Sequence, residues 1–271
     1  MNVGASSVDA AIAALVKKGA DIEFEGETVQ SVFWFDTRLS NKDLSHLGVL
    51  TSLRELSLWD SAVDDAVWKH IRSLNKLASL DLSGTQVSSR GLQGLQSFPR
   101  LKSLELRQTS IGDAGLEYIG KVETLEELNL LGTRVTGLGL AHLAKLKKLR
   151  QLCVVDTATS DDGLRSVGKL ASLQWLELEG TRITNGGMAH LRGLTRLQLL
   201  TVHNTEVNQA GLQHLLGMKD LKDLYIVIED PRAALPALKQ LPGLRNLYTG
   251  SGLSEEEARW LESQLSKVTV H

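Results

Sequence analysis

One period organises this chain. Steps of 24 residues from Thr37 meet Ser61, Thr85, Thr109, Thr133, Thr157, Thr181 and Thr205. Leucine columns keep the same step, one from Leu53 to Leu221 and another from Leu56 to Leu224. A third runs Leu58, Leu82, Leu106, Leu130, Val154, Leu178, Val202 and Ile226, and a glycine column runs from Gly91 to Gly211. A unit this short cannot bury its apolar face alone, so the units must stack on one another.

The unit "LKSLELRQTSIGDAGLEYIGK", from Leu101, shows what each repeat contains. Leu104 and Leu106 alternate, which predicts a short strand. From about Asp113, Leu116, Ile119 and Val122 recur at helical spacing, which predicts a short helix packed behind the strand. The threonine falls where the chain leaves the strand and its backbone groups need new partners. A short hydroxyl there can bond its own and neighbouring backbones. Thr133 and its equivalents therefore read as structural rungs.

The pattern L-x-x-L-x-L-x-x-T-x-I resembles leucine-rich repeats, with threonine where asparagine or cysteine usually stands. The segments "TSIGDAGLEYI" (from Thr109), "TRVTGLGLAHL" (from Thr133) and "TRITNGGMAHL" (from Thr181) are similar to the threonine-bearing repeats of bacterial proteins and to the cysteine-containing repeats of F-box proteins. The resemblance covers residues 28 to 217 and implies an α/β leucine-rich-repeat solenoid, a right-handed horseshoe with one strand and one short helix per repeat. It also implies an interaction scaffold. The alternative is the substrate-recognition module of a larger regulatory or effector system, ubiquitin-ligase-like or a secreted effector.

The expected organisation is an N-terminal cap over residues 1–27, repeats over 28–240, and a C-terminal repeat with a capping helix over 241–271. The cap reads as a helix from about Ser7 to Lys18 ending near Gly19, then a strand, a turn at Glu25-Gly26 and the first repeat strand. At the far end the unit from Met218 has Glu229 in place of threonine and contains Pro231 and Pro236. Ser254 and Glu257 make a capping box, so a helix starts near Glu255 and brings Trp260 and Leu261 over the last coil.

Strand residues between and just after the leucines face away from the core. They include Phe33, Phe35, Glu55, Trp59, Asp81, Glu105, Arg107, Trp175, Glu177, Glu179 and His203, with Asp36, Asp60, Glu127, Asp156 and Asp223 beside them. Arg107 is the lone Lys or Arg of these columns. With a formal net charge of −2 for 271 residues, the positive charge must lie elsewhere, much of it where helix returns to strand. The expected partner is a basic or amphipathic protein or peptide on an acidic, aromatic-bearing inner face. Phe33, Phe35 and Trp59 are the expected anchors unless the N-terminal cap covers them, and Trp175 beside Leu199 is a second candidate. The basic flank could instead meet phosphates or an anionic surface, though the small net charge and the lack of interleaved aromatics argue against nucleic acid.

Little points to chemistry. Cys153 and His203 fall two repeats apart, too far for a nucleophile and its base. Asp81 and Glu105 are neighbours whose repulsion should raise one carboxyl. Glu179 and His203 could share a metal with Glu177, the remote case for a metal-dependent enzyme. His46, His70, His142, His190 and His214 share one column, read as helix packing. No phosphate-binding or zinc motif occurs, so no cofactor, no metal and no catalytic activity are expected. A single cysteine excludes an intrachain disulfide. The N-terminus lacks the basic stretch of a secretory leader. No apolar run approaches the roughly 18 residues of a membrane span. A cytoplasmic protein with no membrane partner is the expectation, with oligomeric state open.

Overall fold

The computed structural model describes residues 7–35 and 38–271; Asp36 and Thr37 lie outside the described residues. Twelve strands form one sheet in chain order. They are β1 (Asp21–Glu25), β2 (Thr28–Phe33), β3 (Glu55–Ser57), β4 (Ser79–Asp81), β5 (Ser103–Glu105), β6 (Glu127–Asn129), β7 (Gln151–Cys153), β8 (Trp175–Glu177), β9 (Leu199–Thr201), β10 (Asp223–Tyr225), β11 (Asn246–Tyr248) and β12 (Thr269–Val270). From β2 onward every pairing is parallel and in register, so Leu56, Leu80, Leu104 and Leu128 line up across the sheet. That column is buried, as are Leu82, Leu106 and Leu130 beside it.

A helix and a hairpin precede the first repeat coil. Helix α1 (Ser7–Lys17) is followed by Gly19 at φ +88° and the antiparallel β1–β2 hairpin. The fully buried Trp34 heads the column continued by Leu58, and its Nε1 donates to the Lys18 carbonyl at 3.0 Å. The outer strand β1 exposes Asp21, Glu23 and Glu25, charges that discourage edge-to-edge pairing.

Behind the strands each repeat carries one short helical segment, and these segments are of two kinds. Beyond α2 (Trp68–Ile71), true α-helix occurs in α3 (Asp113–Ile119) and α4 (Asp161–Val167), whereas the coils following each form 3-10 helix at Gly139–Lys145 and Gly187–Leu191. From Asn41 to Leu191 the coils therefore alternate in a unit two repeats long, which ends at Gln209–His214, where 3-10 helix follows 3-10 helix. Asp113, at the start of α3, accepts from both the N–H (2.7 Å) and the hydroxyl (2.6 Å) of Thr136 in the next coil. Asp161 does the same to Thr184, and Asp65 to Ser88. Each aspartate leans over a glycine: a Cβ on Gly139 would stand 2.2 Å from Asp113 Oδ1. "GTRVT" at Gly132 and "GTRIT" at Gly180 carry this longer period in the sequence.

At the far end, α5 (Pro231–Leu238) and α6 (Glu255–Gln264) finish the solenoid. The Ser254–Glu257 capping box forms, and Leu261 is buried beneath α6 with Trp260 packed beside it.

The threonine rungs are narrower in role than the sequence suggests. Each hydroxyl donates within its own coil, to the carbonyl three residues earlier: Thr85 to Leu82 (2.6 Å), Thr109 to Leu106 (2.7 Å), Thr133 to Leu130 (2.7 Å) and Thr181 to Leu178 (2.6 Å). Ser61 does likewise to Leu58, and Thr205 to Val202. The residue before each is left-handed, from Asp60 (φ 54°) through Gly132 (φ 65°) to Asn204 (φ 53°). The chain turns sharply there, and the hydroxyl closes the turn on a buried carbonyl.

Thr133→Val leaves the Leu130 carbonyl with the Thr133 backbone N–H alone, and is expected to cost about 1–2 kcal/mol in urea unfolding. Thr133→Ser should retain most of that stability. Gly139→Ala drives a methyl into the Asp113 carboxylate, and a loss of about 1–3 kcal/mol is expected in the same assay.

Candidate functional site

The face opposite the core carries three zones. At the N-terminal end, the Phe33 and Phe35 rings stack with centroids 6.4 Å apart, and Phe35 meets Trp59 edge-on at 6.0 Å. Phe35 is 62% exposed and Trp59 46%, so among the described residues the cap leaves them open. Glu55, opposite Ser31 and two residues before Ser57, is exposed on the same face.

The middle zone is acidic, but its charges are not equivalent. The Asp81 carboxylate is used internally, accepting from the Ser57 hydroxyl (3.1 Å) and the Ser83 N–H (2.9 Å). Glu179 Oε1 accepts from Asn204 Nδ2 at 3.0 Å and lies 2.9 Å from His203 Nε2. Arg107 Nε stands 3.2 Å from Glu105 Oε2, so the lone cation of the face serves a neighbouring carboxylate. Glu177 has no hydrogen-bond or ion-pair partner among the described residues and stands open beside Trp175, which is 44% exposed.

Burial, more than repulsion, shapes the titration here. Glu105 is raised above the ordinary carboxylate value chiefly by burial; Arg107 opposes the shift, and the Asp81 charge adds to it. The Asp81 charge does raise one carboxyl of the pair, that of Glu105, with burial as the larger cause. Glu177 is raised by burial and then by Glu179. Cys153 is buried and free, and burial pushes its thiol up to about 12. It sits on β7, and His203 follows β9 two strands away across β8, so the two form no dyad. Among the described residues no group of three or more His, Cys, Asp or Glu is placed to hold a metal ion. Of the histidine column, His70 and His214 are held below the usual imidazole value, first by burial and then by Lys69 and Arg192 respectively.

The third zone escaped the sequence reading. Tyr225 and Tyr248 stack at 4.0 Å, and His271 stacks on Tyr248 at 4.4 Å, with His203 tilted against Tyr225 at 5.8 Å. The register Tyr225↔Tyr248 shortens the last step to 23 residues, so steps of 24 pass over Tyr248. The sequence "NLYTG" after "DLYIV" holds the clue, since both present the same Leu-Tyr pair.

A family model described as "Leucine Rich repeat" matches residues 100–120. No curated protein matches by sequence. Among solved structures, an internalin from Listeria monocytogenes is similar at TM-score 0.55 and 16% identity, over 98% of this chain and 87% of that one. The Arabidopsis receptor kinase HAESA ectodomain, solved with an N-terminally extended IDA peptide hormone, is similar at TM-score 0.62 and 20% identity, over 86% of this chain and 41% of its own. The PEPR1–AtPEP1 structure is similar at TM-score 0.57 and 20% identity, over 93% and 36%. The chain thus spans less than half of either receptor chain, and its fold is the leucine-rich-repeat solenoid.

Glu105 and Glu177 oppose stability at neutral pH. Their folded values are raised, so the stability present below the ordinary carboxylate range is lost as pH rises through those values. Glu105→Gln should therefore raise the thermal midpoint at pH 7 and leave it unchanged once both states are protonated. Thermal melts across pH check the sign.

Proposed function

We propose that this solenoid is a protein-interaction scaffold that takes an extended, basic or amphipathic segment along its strand-lined face. The observation that carries the reading is the exposed Phe35–Trp59 pair on the same face of the sheet as the exposed Glu55. Large rings left in water on a charged face cost solubility and suit an anchor that is buried only in a complex. Trp175 and Glu177 repeat the combination further along the sheet.

Five strand steps separate β3 from β8, about 24 Å at the usual spacing, which an extended chain of roughly seven residues bridges. Such a segment would bring an apolar side chain to each aromatic anchor and basic side chains over Glu105 and Glu177 between them. Opposite charge would speed encounter and exclude acidic competitors. The similar HAESA structure holds a peptide hormone by its description, which is consistent with a peptide partner here. Keeping Glu105 and Glu177 at a cost in stability also fits a face selected for binding.

Selection from a displayed library of short linear peptides tests the proposal. Enrichment of Lys- or Arg-bearing sequences with apolar residues at both ends is expected, with affinity falling as salt rises. A Phe35→Ala, Trp59→Ala variant of unchanged thermal midpoint should bind the selected peptides at least about tenfold more weakly. Equal binding by the two proteins, or enrichment of acidic peptides, would overturn it.

A further inference from the structure

The segments returning from helix to strand all emerge on one flank. Because the strands pair in register, equivalent positions of successive coils lie side by side there, about 4.8 Å apart. In three successive coils this brings together Lys121, Lys145, Lys147, Lys148, Arg150 and Lys169, every one of them exposed. Little negative charge answers them. Lys121 pairs with Glu117 at 2.9 Å, and Lys147 Nζ donates to the Ala144 carbonyl at 2.7 Å. Glu126 is taken by Lys102 at 2.9 Å, and its carboxyl is held below the usual value by that hydrogen bond and, more weakly, by the nearby charges of Lys102, Arg150 and Lys148. Glu123 is exposed nearby. Lys145, Lys148, Arg150 and Lys169 have no carboxylate within ion-pair distance among the described residues.

We infer that this basic flank docks the protein on an anionic lipid bilayer. Three features favour a bilayer over other polyanions. The cluster is mostly lysine, compact point charges suited to a diffuse anionic surface, where arginine forks suit defined phosphates. The aromatic ring at its edge, Tyr118, is half-buried and capped by Lys121 Nζ at 5.1 Å from the centroid, so it does not stand free for a nucleic-acid base to stack on. The cluster is also a side wall of stacked coils, broad and without a groove, and so fits a plane. The opposite flank mixes Arg134 and Arg182 with Asp113 and Asp161, and the aspartates there are tied to Thr136 and Thr184. The acidic inner face lies on a separate side, so docking would leave it free for a partner. No helix among the described residues is long and apolar enough to cross a membrane. The expectation of no membrane partner rested on such a span, and peripheral docking does not need one.

Co-sedimentation of the full chain with phosphatidylcholine vesicles, with and without phosphatidylserine, tests the inference. Binding is expected only to the phosphatidylserine vesicles, and it should vanish in high salt. Lys145→Gln, Lys147→Gln, Lys148→Gln together should weaken it about a hundredfold. The matched variant Arg90→Gln, Arg134→Gln, Arg182→Gln removes equal charge from the segments that lead from strand to helix and should bind as wild type does. Circular dichroism on both variants separates lost docking from lost fold. No sedimentation of wild type above the neutral vesicles, or equal losses in the two variants, would overturn the inference. Tighter binding to a single-stranded oligonucleotide than to the vesicles would overturn it in favour of nucleic acid.

Discussion

Everything in this molecule depends on how each coil leaves its strand. Seven residues in a left-handed conformation, from Asp60 to Asn204, turn the chain at the same point of successive coils. The hydroxyl that follows seals the turn against a carbonyl that water cannot reach. Because the turn recurs at a constant step, the strands stay in register and their side chains fall into columns. Core leucines, inner-face carboxylates and flank lysines are three consequences of that one constraint. A turn that slipped by a residue would exchange the buried and exposed sides of its strand.

The inner face shows what register does to charge. Columns that bring leucines together also bring carboxylates together, and the protein relieves only some of the crowding. Asp81 bonds to Ser57 and Ser83, Glu179 to Asn204, and Glu105 lies against Arg107. Glu177 is left open and half-buried. A surface needed only for solubility would have no reason to hold carboxylates where burial raises them, because exposed lysines and glutamates do that work without strain on ionisation.

The strands, the core columns and both caps could be read from residue spacing, because burial of a leucine every coil leaves a period that no other requirement disguises. The outward placement of Phe35 and Trp59 was legible for the same reason: they fall in register with Ser83, Arg107 and Glu179. Three features were harder. The 3-10 helices of alternate coils depend on Asp113 and Asp161 reaching into the next coil, a contact between residues far apart in sequence. The partners of Asp81 and Glu179 depend on side-chain geometry that spacing does not carry. The Tyr225–Tyr248–His271 stack lay beyond a one-residue shortening of the period, which breaks any count made at constant step.

The alternation of coils also limits how such a chain can change length. At the left-handed position, Gln108 and Asp156 each lie next to a glycine, and a Cβ on Gly132 would fall 2.3 Å from Gln108 Nε2. Loss of the single coil 132–155 would set Asp156 directly against Gln108, two side chains in the space built for one. Loss of two coils would restore a glycine there, since Gly180 follows Asp156 at the same step. Duplication and deletion in this lineage are therefore expected to proceed in pairs of coils, so that related chains differ in length by even numbers of repeats.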